Sequence, residues 1–585
     1  MAAIITSKFR FHNAEQFKES FSEAAPTNYY LFFGSPSAYA SGTTGGSDSA
    51  PPTPVDNRRT EAYNWDDMLA AKKIDSTGVT HAIPRRDLDV SGATTYDMYR
   101  PNYSASSTAN SGATSLFDST FYFMTSAYRV YKVLENKSNG AWTAAEPTTT
   151  DKNPFAAGGY TIKYMFTLST TQVQNFLTPD FIPVLTTPES GKALDDGELS
   201  IVNVTTVGLS LVGGSAWNIT ADRTVVNVPV RGDGTGALCS VTIGGTDGTA
   251  DGTITSCTIG SGLGGSGYTH GTVLPVDIIE QHNIQNSGSV LSFSANPVFE
   301  VIISPDGGHG ANPAKELGGH FCLTDVKLQQ TEAFDFSVVN DFRQIGIVRN
   351  PYSYGTTSNF TGSTCRQTSA VKLASNSGTF SVDEKISQTI AAQTISSGSV
   401  SGSVITINTA NPHQLATGQM VKITNGTFAG GATTGHQGTH HITREDADSF
   451  SFTVSSSRTP TGSFTVGDPA AAYTTFIPQG IVVEWDATNK ILFYVQNVYD
   501  NQGTDATYKQ TIPFSGNSTI TGATSNATGV PDVASSATVN NTVFVAGYAN
   551  PELQPDSGDV IYIENRKPIS RASDQTEDIK LVVEF

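Results

Sequence analysis

Three stretches of the sequence carry residue types that could perform chemistry, and the first is a group of histidines. His413 precedes the stretch HQGTHH, His436–His441. Imidazole nitrogens bind zinc when three or four ligands converge on one point. On a strand, however, His440 and His441 point to opposite faces, and no cysteine accompanies them. The pattern favours a hairpin surface, and we predict no metal ligands.

The other two stretches are rich in glycine. GDGTG, Gly232–Gly236, and the nearby SGLGGSG could cradle a phosphate if a helix followed them, but the strand-like ALCSVTI follows instead. GGHGANPAKELGGH, Gly307–His320, holds two histidines and Glu316, and a buried His–Glu pair could perform acid–base chemistry. No nucleophile motif such as GxSxG lies nearby. We therefore predict tight turns and a packed loop, with no catalytic or cofactor-binding residue and no bound cofactor.

Charged residues inside otherwise apolar patterns are more informative than these loops. Guanidinium groups form bidentate hydrogen bonds that can hold separate segments or subunits together. The alternative for the same residues is local ion pairing and turn capping. The candidates for interface or inter-segment ion pairs are Arg85, Arg86, Asp87, Arg343, Glu564, Asn565, Arg566 and Asp574.

The composition of the chain limits the classes of protein to which it can belong. The chain has 585 residues with 55 glycines and only 15% charged residues, which is typical of short strands joined by turns. Its formal net charge is −19, and no basic cluster is present that could replace the counterions of a nucleic acid. No apolar run reaches the ~20 residues of a membrane span. We predict neither nucleic acid nor membrane as a partner.

The cysteines indicate where the chain folds. Cys239, Cys257, Cys322 and Cys365 are sparse and show no CxxC spacing. We interpret them as reduced thiols, which indicates folding in a cytoplasm.

Strand signals dominate the chain, with a few short helices. At the amino end the pattern predicts a strand over Ala3–Phe9 and then a helix capped by Asn13, and a second helix is predicted over Trp65–Lys73. Tyr160–Leu168 alternates apolar and polar residues, and Phe342–Asn350 forms a further strand that ends before a proline. The carboxyl end repeats the pattern, with strands at Val560–Glu564 and Ile579–Phe585.

The predicted fold class is mainly β, with several sandwich-like or barrel-like modules. A core domain is formed by the N- and C-terminal segments, and two insertions interrupt it. The predicted ranges are 1–190 with 298–352 and 542–585 for the core, 191–297 for a glycine-rich β insertion, and 353–541 for a second β insertion that contains a nested module at about 401–465. We expect Ile579–Phe585 to complete the domain that begins at the amino end.

Six motifs, in order along the chain, resemble those of the baseplate wedge family of T-even-type bacteriophages with contractile tails. The C-terminal motif is the strongest of them, and both insertions lie outside the resemblance. The motifs are ITSKFR (Ile5–Arg10), FFG (Phe32–Gly34), AIPRRD (Ala82–Asp87), GYTIKYMF (Gly159–Phe166), FRQIGIVRNP (Phe342–Pro351), and GDVIYIENRKPI with DQTEDIKLVVEF near the end.

The resemblance implies a mostly β structural protein of the virion without enzymatic activity. It also implies a homodimer that holds other wedge proteins together in the tail baseplate, with proteins of the tail-fibre network as a further candidate partner. Folding and assembly would take place in the host cytoplasm.

Two other functions remain open from the sequence. A host-recognition or glycan-binding tail protein would act through the inserted modules, whose candidate aromatic platforms are Trp217, Tyr268, Trp485 and Tyr494. The strand patterns around Trp485 and Tyr494 favour core positions for these two. A polysaccharide depolymerase would need a pair of carboxylates in a groove, which sequence cannot place.

Overall fold

The structure is a computed structural model of the whole chain. It describes residues 6–39, 46–136, 140–193, 200–204, 209–211, 222–244, 254–260, 262–268, 270–286, 291–293, 296–297, 299–305, 307–329, 332, 335–466, 473–496, 504–505, 510–534, 536–572 and 574–585. The predicted fold class is confirmed, because strands far outnumber helices and form multiple antiparallel sheets.

The helices in the described residues are short. They are α1 (Ser7–Glu19), α2 (Arg58–Asp66), α3 (Thr170–Phe176), α4 (Pro275–Gln285) and α5 (Pro313–Leu317).

The strands of the first half of the chain are β1 (Tyr29–Gly34), β2 (Met68–Lys73), β3 (Val79–Pro84), β4 (Tyr122–Met124), β5 (Arg129–Asn136), β6 (Phe155–Ala157), β7 (Tyr160–Thr167), β8 (Phe181–Val184), β9 (Ser200–Val204), β10 (Leu209–Leu211), β11 (Arg223–Gly232), β12 (Leu238–Ile243), β13 (Ile254–Ile259), β14 (Gly271–Val273), β15 (Leu291–Phe293), β16 (Phe299–Ile302) and β17 (Phe321–Gln329).

Those that follow are β18 (Phe342–Arg349), β19 (Thr364–Arg366), β20 (Ser369–Ser377), β21 (Lys385–Gln388), β22 (Ile395–Ser401), β23 (Val404–Thr409), β24 (Met420–Ile423), β25 (Thr427–Gly431), β26 (Gly438–His441), β27 (Thr443–Arg444), β28 (Ser449–Thr453), β29 (Pro460–Thr465), β30 (Tyr473–Thr475), β31 (Gln479–Asp486), β32 (Ile491–Val495), β33 (Thr504–Asp505), β34 (Gln510–Thr511), β35 (Ile520–Gly522), β36 (Thr528–Pro531), β37 (Thr538–Val539), β38 (Thr542–Val543), β39 (Tyr548–Ala549), β40 (Asp559–Ile569) and β41 (Thr576–Glu584).

The chain divides into two compact units, and both are discontinuous in sequence. The first unit comprises Met1–Ser20, Ser76–Asp325 and Lys580–Phe585, and the second comprises Phe21–Asp75 and Val326–Ile579. The last residues of the chain therefore fall in the same unit as α1. The three-part division made from the sequence stays a prediction.

The first unit contains two four-stranded sheets in full and most residues of a third, β41-β17-β3-β8. The strand orders of the two complete sheets are β4-β5-β7-β6 and β13-β12-β11-β14. Aromatic and aliphatic side chains from β4, β5 and β7 fill the main core, where Tyr122, Val130 and Met165 are almost completely buried. The strand predicted over Tyr160–Leu168 is confirmed as β7.

The strand predicted at the amino end is wrong within the described residues. Helix α1 begins at Ser7, and its N-cap is Thr6, whose side chain accepts a hydrogen bond from the backbone N–H of Phe9. The predicted cap Asn13 lies inside this helix. Phe11 is buried and stacks on the His81 ring of β3 at 5.3 Å between centroids, so the helix covers the sheet rather than joining it.

The second unit contains a five-stranded sheet, β19-β2-β1-β18-β40, and a seven-stranded sheet, β32-β31-β21-β35-β36-β20-β39. The helix predicted over Trp65–Lys73 is wrong, because α2 ends at Asp66 and Met68–Lys73 forms β2 between β1 and β19. The strand predicted over Phe342–Asn350 is confirmed as β18. A smaller β module, β22 to β30, has its own core around Ile405, Val421 and Phe450.

Candidate interface residues and buried ion pairs

Two of the predicted charged residues, Arg85 and Asp87, form a local pair just after β3. Nε of Arg85 lies 3.0 Å from both carboxylate oxygens of Asp87, and Nη1 donates to the backbone carbonyl of Thr178 at 3.1 Å. The carboxylate is more than half exposed, so the ion pair itself contributes little. The bond to Thr178 joins segments that are far apart in sequence.

Arg86, by contrast, points into the first unit. Its guanidinium lies 4.5 Å from the centre of the Tyr122 ring, and Nη2 donates to the Phe117 carbonyl at 3.1 Å. Burial raises the pKa of the Tyr122 hydroxyl, which donates to the carbonyl of Pro84 at 2.7 Å. Arg86 therefore acts inside the fold as a cation–π and hydrogen-bond link.

Arg343 holds a loop of the second unit onto β18. Its Nε and Nη2 atoms each lie 3.1 Å from one carboxylate oxygen of Asp48, and Nη1 donates to the carbonyl of Pro36. The arginine side chain is only 8% exposed. The bonds from Arg343 lower the pKa of Asp48. This bidentate pair spans almost 300 residues of sequence.

We expect Arg343→Lys to lower the free energy of unfolding of the second unit by about 1–2 kcal/mol at pH 7, because lysine cannot reproduce the bidentate bonds. The pKa of Asp48 is lower in the folded state than in the unfolded state. Its contribution to the free energy of unfolding is therefore fully present above the unfolded-state pKa and is lost as the pH falls through the folded-state pKa. Urea unfolding at pH 7 and pH 2.5 checks this. Arg349→Lys is the control, since Arg349 and Asp559 are both largely exposed. Equal effects of the two substitutions at pH 7 would contradict the role of Arg343.

The remaining predicted residues lie near the end of the chain. Asn565 on β40 accepts from Gln344 at 2.8 Å and donates to the carbonyl of Pro52 at 3.0 Å. Glu564 accepts from the Tyr562 hydroxyl at 2.9 Å and lies 3.6 Å from Arg566 on the same strand. Asp574 is exposed in the turn between β40 and β41. Asn565 thus links segments, whereas Glu564 and Arg566 pair locally.

The most deeply buried ion pair of the described residues involves Lys132, which the sequence analysis missed. Its ammonium group on β5 contacts the carboxylate of Glu316 and lies 2.7 Å from Nδ1 of His309. It also lies 4.4 Å from the centre of the Tyr99 ring. The lysine side chain is 0% exposed and that of Glu316 is 2% exposed. Burial lowers the pKa values of Lys132 and His309.

The carboxylate of Glu316 also fixes the glycine-rich loop. Its Oε1 atom accepts from the backbone N–H groups of Gly310 at 2.7 Å and Asn312 at 3.3 Å. The loop predicted over Gly307–His320 is therefore held by a charge inside it and a lysine 184 residues away. The signal that could have revealed this was a lysine in the middle of the apolar strand RVYKVLEN.

The two ends of the first unit meet at α1. Arg10 of the helix pairs with the carboxylate of Glu584, and its Nε donates to the carbonyl of Phe585. The ring centroids of Phe17 and Phe585 lie 5.3 Å apart. The backbone N–H of Phe585 donates a hydrogen bond to the backbone carbonyl of His320 at 3.2 Å. The C-terminal strand is thus fastened to the first helix by charge and by packing.

The histidines singled out for metal binding contact the backbone. His440 Nε2 lies 2.8 Å from the carbonyl of His436, and the His440 ring stacks on Phe452 at 4.0 Å. His413 Nδ1 accepts from the N–H of Leu415 at 3.0 Å. Across the described ranges no group of three or more His, Cys, Asp or Glu side chains could hold a metal ion.

The glycine loops and the aromatic residues also have structural contacts. GDGTG at the end of β11 packs around Tyr268, whose hydroxyl donates to the carbonyl of Val230 at 2.9 Å. Trp485 packs edge-on against Phe380, and Tyr494 is buried. Trp217 lies outside the described residues. In the part of the chain that the structure describes, no helix is long and apolar enough to cross a membrane.

The described residues thus form antiparallel sheets with inward-facing arginines and a buried lysine. Residues 3–162 and 526–585, more than a third of the chain, match the family model described as Gp8 of bacteriophage T4, a baseplate wedge protein. The resemblance to this family is thereby confirmed at both ends of the chain. The motif FRQIGIVRNP, Phe342–Pro351, lies outside the match.

The Gp8 family implies a structural role in the wedge of a phage tail baseplate. No curated protein matches the chain significantly.

Proposed function

We propose that this chain is a structural component of a phage contractile-tail baseplate wedge, which holds neighbouring baseplate proteins together through protein–protein interfaces. The observation that carries the proposal is the match of both ends of the chain to the Gp8 family. The matched segments contain the fastening residues Arg10 and Glu584 and the inward-facing Arg86. The same protein acts as a homodimer, and tail-fibre-network proteins are further candidate partners.

Exposed apolar side chains in the C-terminal matched segment support a docking role. Val543 is 63% exposed, Val545 is 67% exposed and Ile561 is 43% exposed. β40 is also an edge strand of its sheet, which leaves backbone groups on one side free of ladder partners within that sheet. Exposed apolar groups and an open strand edge are features that a partner protein can cover. The negative net charge would keep free subunits soluble before assembly.

The cysteines support assembly in the host cytoplasm. All four are free thiols, and Cys239, Cys322 and Cys365 are buried. Burial raises the pKa of Cys322 to about 12, so this thiol stays protonated and unreactive at neutral pH. Such thiols are compatible with a protein that folds and assembles in a reducing compartment.

The dimer is tested by size-exclusion chromatography with light scattering on the purified chain. We expect a particle with twice the 61.8 kDa mass of one chain. The dimer should persist in moderate salt, because apolar contacts are less sensitive to ionic screening than surface ion pairs. A single-chain mass at micromolar concentration would contradict the dimer.

The host-recognition alternative is tested by deleting the whole small β module, β22 to β30 (residues 395–475). The wedge proposal places the essential contacts in the two matched ends of the chain. Two of the four aromatic residues considered as glycan platforms, Trp485 and Tyr494, pack against other residues of the second unit. Particles that assemble but fail to adsorb to cells would favour recognition. Particles that assemble and adsorb normally would show that the module serves neither role.

A further inference from the structure

A small cleft, with a cavity volume of about 90 Å³, lies in the second unit, where its two large sheets approach each other. Leu69 of β2 and Arg366 of β19 line it from the five-stranded sheet, and Glu484 of β31 and Phe493 of β32 line it from the seven-stranded sheet. Asp335, from the segment between β17 and β18, completes the polar part. None of these residues has a role in the contacts described above.

The carboxylates of the cleft lack a cationic partner. Among the described residues, no lysine, arginine or histidine nitrogen lies within 4.0 Å of the carboxylates of Asp335, Glu484 or Asp486. Burial is the main cause that raises the pKa of Asp335, to about 6, and it also raises the pKa of Glu484. Both carboxylates are therefore held at a cost that a cation would remove.

The arginine in the cleft does not neutralise this charge at close range. The guanidinium of Arg366 donates to the Thr368 hydroxyl at 3.4 Å and to the carbonyl of Asn550 at 3.0 Å, and it lies 5.7 Å from the centre of the Phe493 ring. It acts on Asp335 only at longer range.

Other acidic groups oppose even this long-range attraction. Glu552 and Glu332 also face Asp335 and raise its pKa. Asp486 faces Glu484 and raises the pKa of that carboxyl, while the hydroxyl of Ser337 lowers it. The cleft keeps a net negative charge.

The remaining walls indicate which cation would fit. Leu69, Phe336, Val338 and Phe493 provide apolar and aromatic surface beside the carboxylates. A lysine or arginine side chain has this character, with a methylene stem that packs on apolar walls and a charged head that binds carboxylates. A metal ion would need several converging ligands, and no such group of side chains occurs among the described residues.

We propose that this cleft receives a lysine or arginine side chain from a neighbouring baseplate protein. Val339, next in sequence to the wall residue Val338, is 52% exposed, and Val543, three residues after the lining residue Asn540, is 63% exposed. An apolar surround that excludes water from a central charged anchor is the usual arrangement of an interface hot spot. The proposal rests on the proposed structural function, which supplies the partner.

The proposal is tested by measuring the binding of n-butylguanidinium, as a probe, to the full chain by saturation-transfer NMR. The unmodified chain is compared with the variant Glu484→Gln. We expect binding by the unmodified chain at pH 7.5 that weakens at least fivefold at pH 5.0, where Asp335 is mostly protonated, and at least fivefold in the variant. The variant should also unfold at a higher temperature at pH 7.5, because a partly buried charge without a cationic partner is gone. Glu23→Gln, an exposed acid of the same unit, is the control.

A purely structural role of Glu484 predicts the opposite sign, since removal of the charge would then lower the unfolding temperature. The proposal would be overturned if the unmodified chain, Glu484→Gln and Glu23→Gln bound the probe equally well. It would also be overturned if probe binding did not change between pH 7.5 and 5.0. Either outcome leaves the baseplate function itself untouched.

Incorporation of the variants into tails separates the two proposals. We expect Glu484→Gln to reduce the amount of the chain in purified tails at least fivefold, and Glu23→Gln to leave it unchanged. If the unmodified chain binds the probe but Glu484→Gln is incorporated into tails normally, the cleft would bind a small diffusible amine. That result would overturn the proposal that a partner's side chain occupies it. Absence of the unmodified chain from tails would instead refute the proposed function.

Discussion

Lys132→Met is expected to lower the free energy of unfolding of the first unit by about 3–5 kcal/mol, because it leaves the carboxylate of Glu316 buried without its cation. Methionine fills most of the space of the lysine stem, so little of this loss comes from a cavity. A loss of this size is a large part of the 5–15 kcal/mol that stabilises a typical domain. Hydrogen exchange of peptides from β5 and from Gly307–His320, followed by mass spectrometry, resolves the effect in this unit.

The double variant Lys132→Met, Glu316→Gln is the control for this prediction. The glutamine keeps an oxygen that can accept from the N–H groups of Gly310 and Asn312, and it carries no charge. We therefore expect the second substitution to recover part of the lost stability. A double variant as unstable as the sum of the two single variants would show that the residues act independently, contrary to the ion pair.

Truncation before Asp574 is expected to prevent the first unit from folding. The deletion removes β41 from the sheet that also contains β17 and β3, and it removes Glu584 and Phe585, which fasten α1. Leu581 is buried, and burial of one such side chain contributes about 1.5–3 kcal/mol. Loss of the strand, its ladder hydrogen bonds and the α1 contacts together is comparable to the whole stability of a domain.

Limited proteolysis and analytical size exclusion of the truncated chain check this expectation. We expect cleavage within Ser76–Asp325, or aggregation, where the full chain resists both. The control is the full-length chain with Asp574→Asn, which alters an exposed turn and keeps β41. A soluble truncated protein with a protease-resistant first unit would show that β41 is dispensable for this fold.

Sequence patterning predicted the fold class because alternation and glycine spacing are local properties. β7 shows such alternation, whereas β18 was predicted from its run of strand-forming residues that ends before a proline. The two local errors have physical reasons. The residues from Thr6 to Phe11 alternate like a strand but also suit a helix capped by Thr6. MLAAKK of β2 consists of good helix formers, but its pairing with a strand on each side overrides this helix propensity.

The ion pairs could be predicted only in part, because their partners are set by tertiary structure. The sequence singled out Arg343, but Asp48 lies 295 residues away and no local signal joins them. A lysine within an apolar strand signalled that Lys132 needs a partner, yet it could not identify Glu316. The cleft with Asp335 and Glu484 combines residues from at least five separate segments and has no signature in any one of them.

A cryo-EM reconstruction of the tail baseplate from the phage that encodes this chain tests the central proposal most directly. The proposed function predicts copies of this chain in the baseplate wedges, with the matched segments 3–162 and 526–585 in contact with neighbouring wedge proteins. A reconstruction that lacks this chain in the wedges, or places it only at host-binding fibre tips, would contradict the proposal.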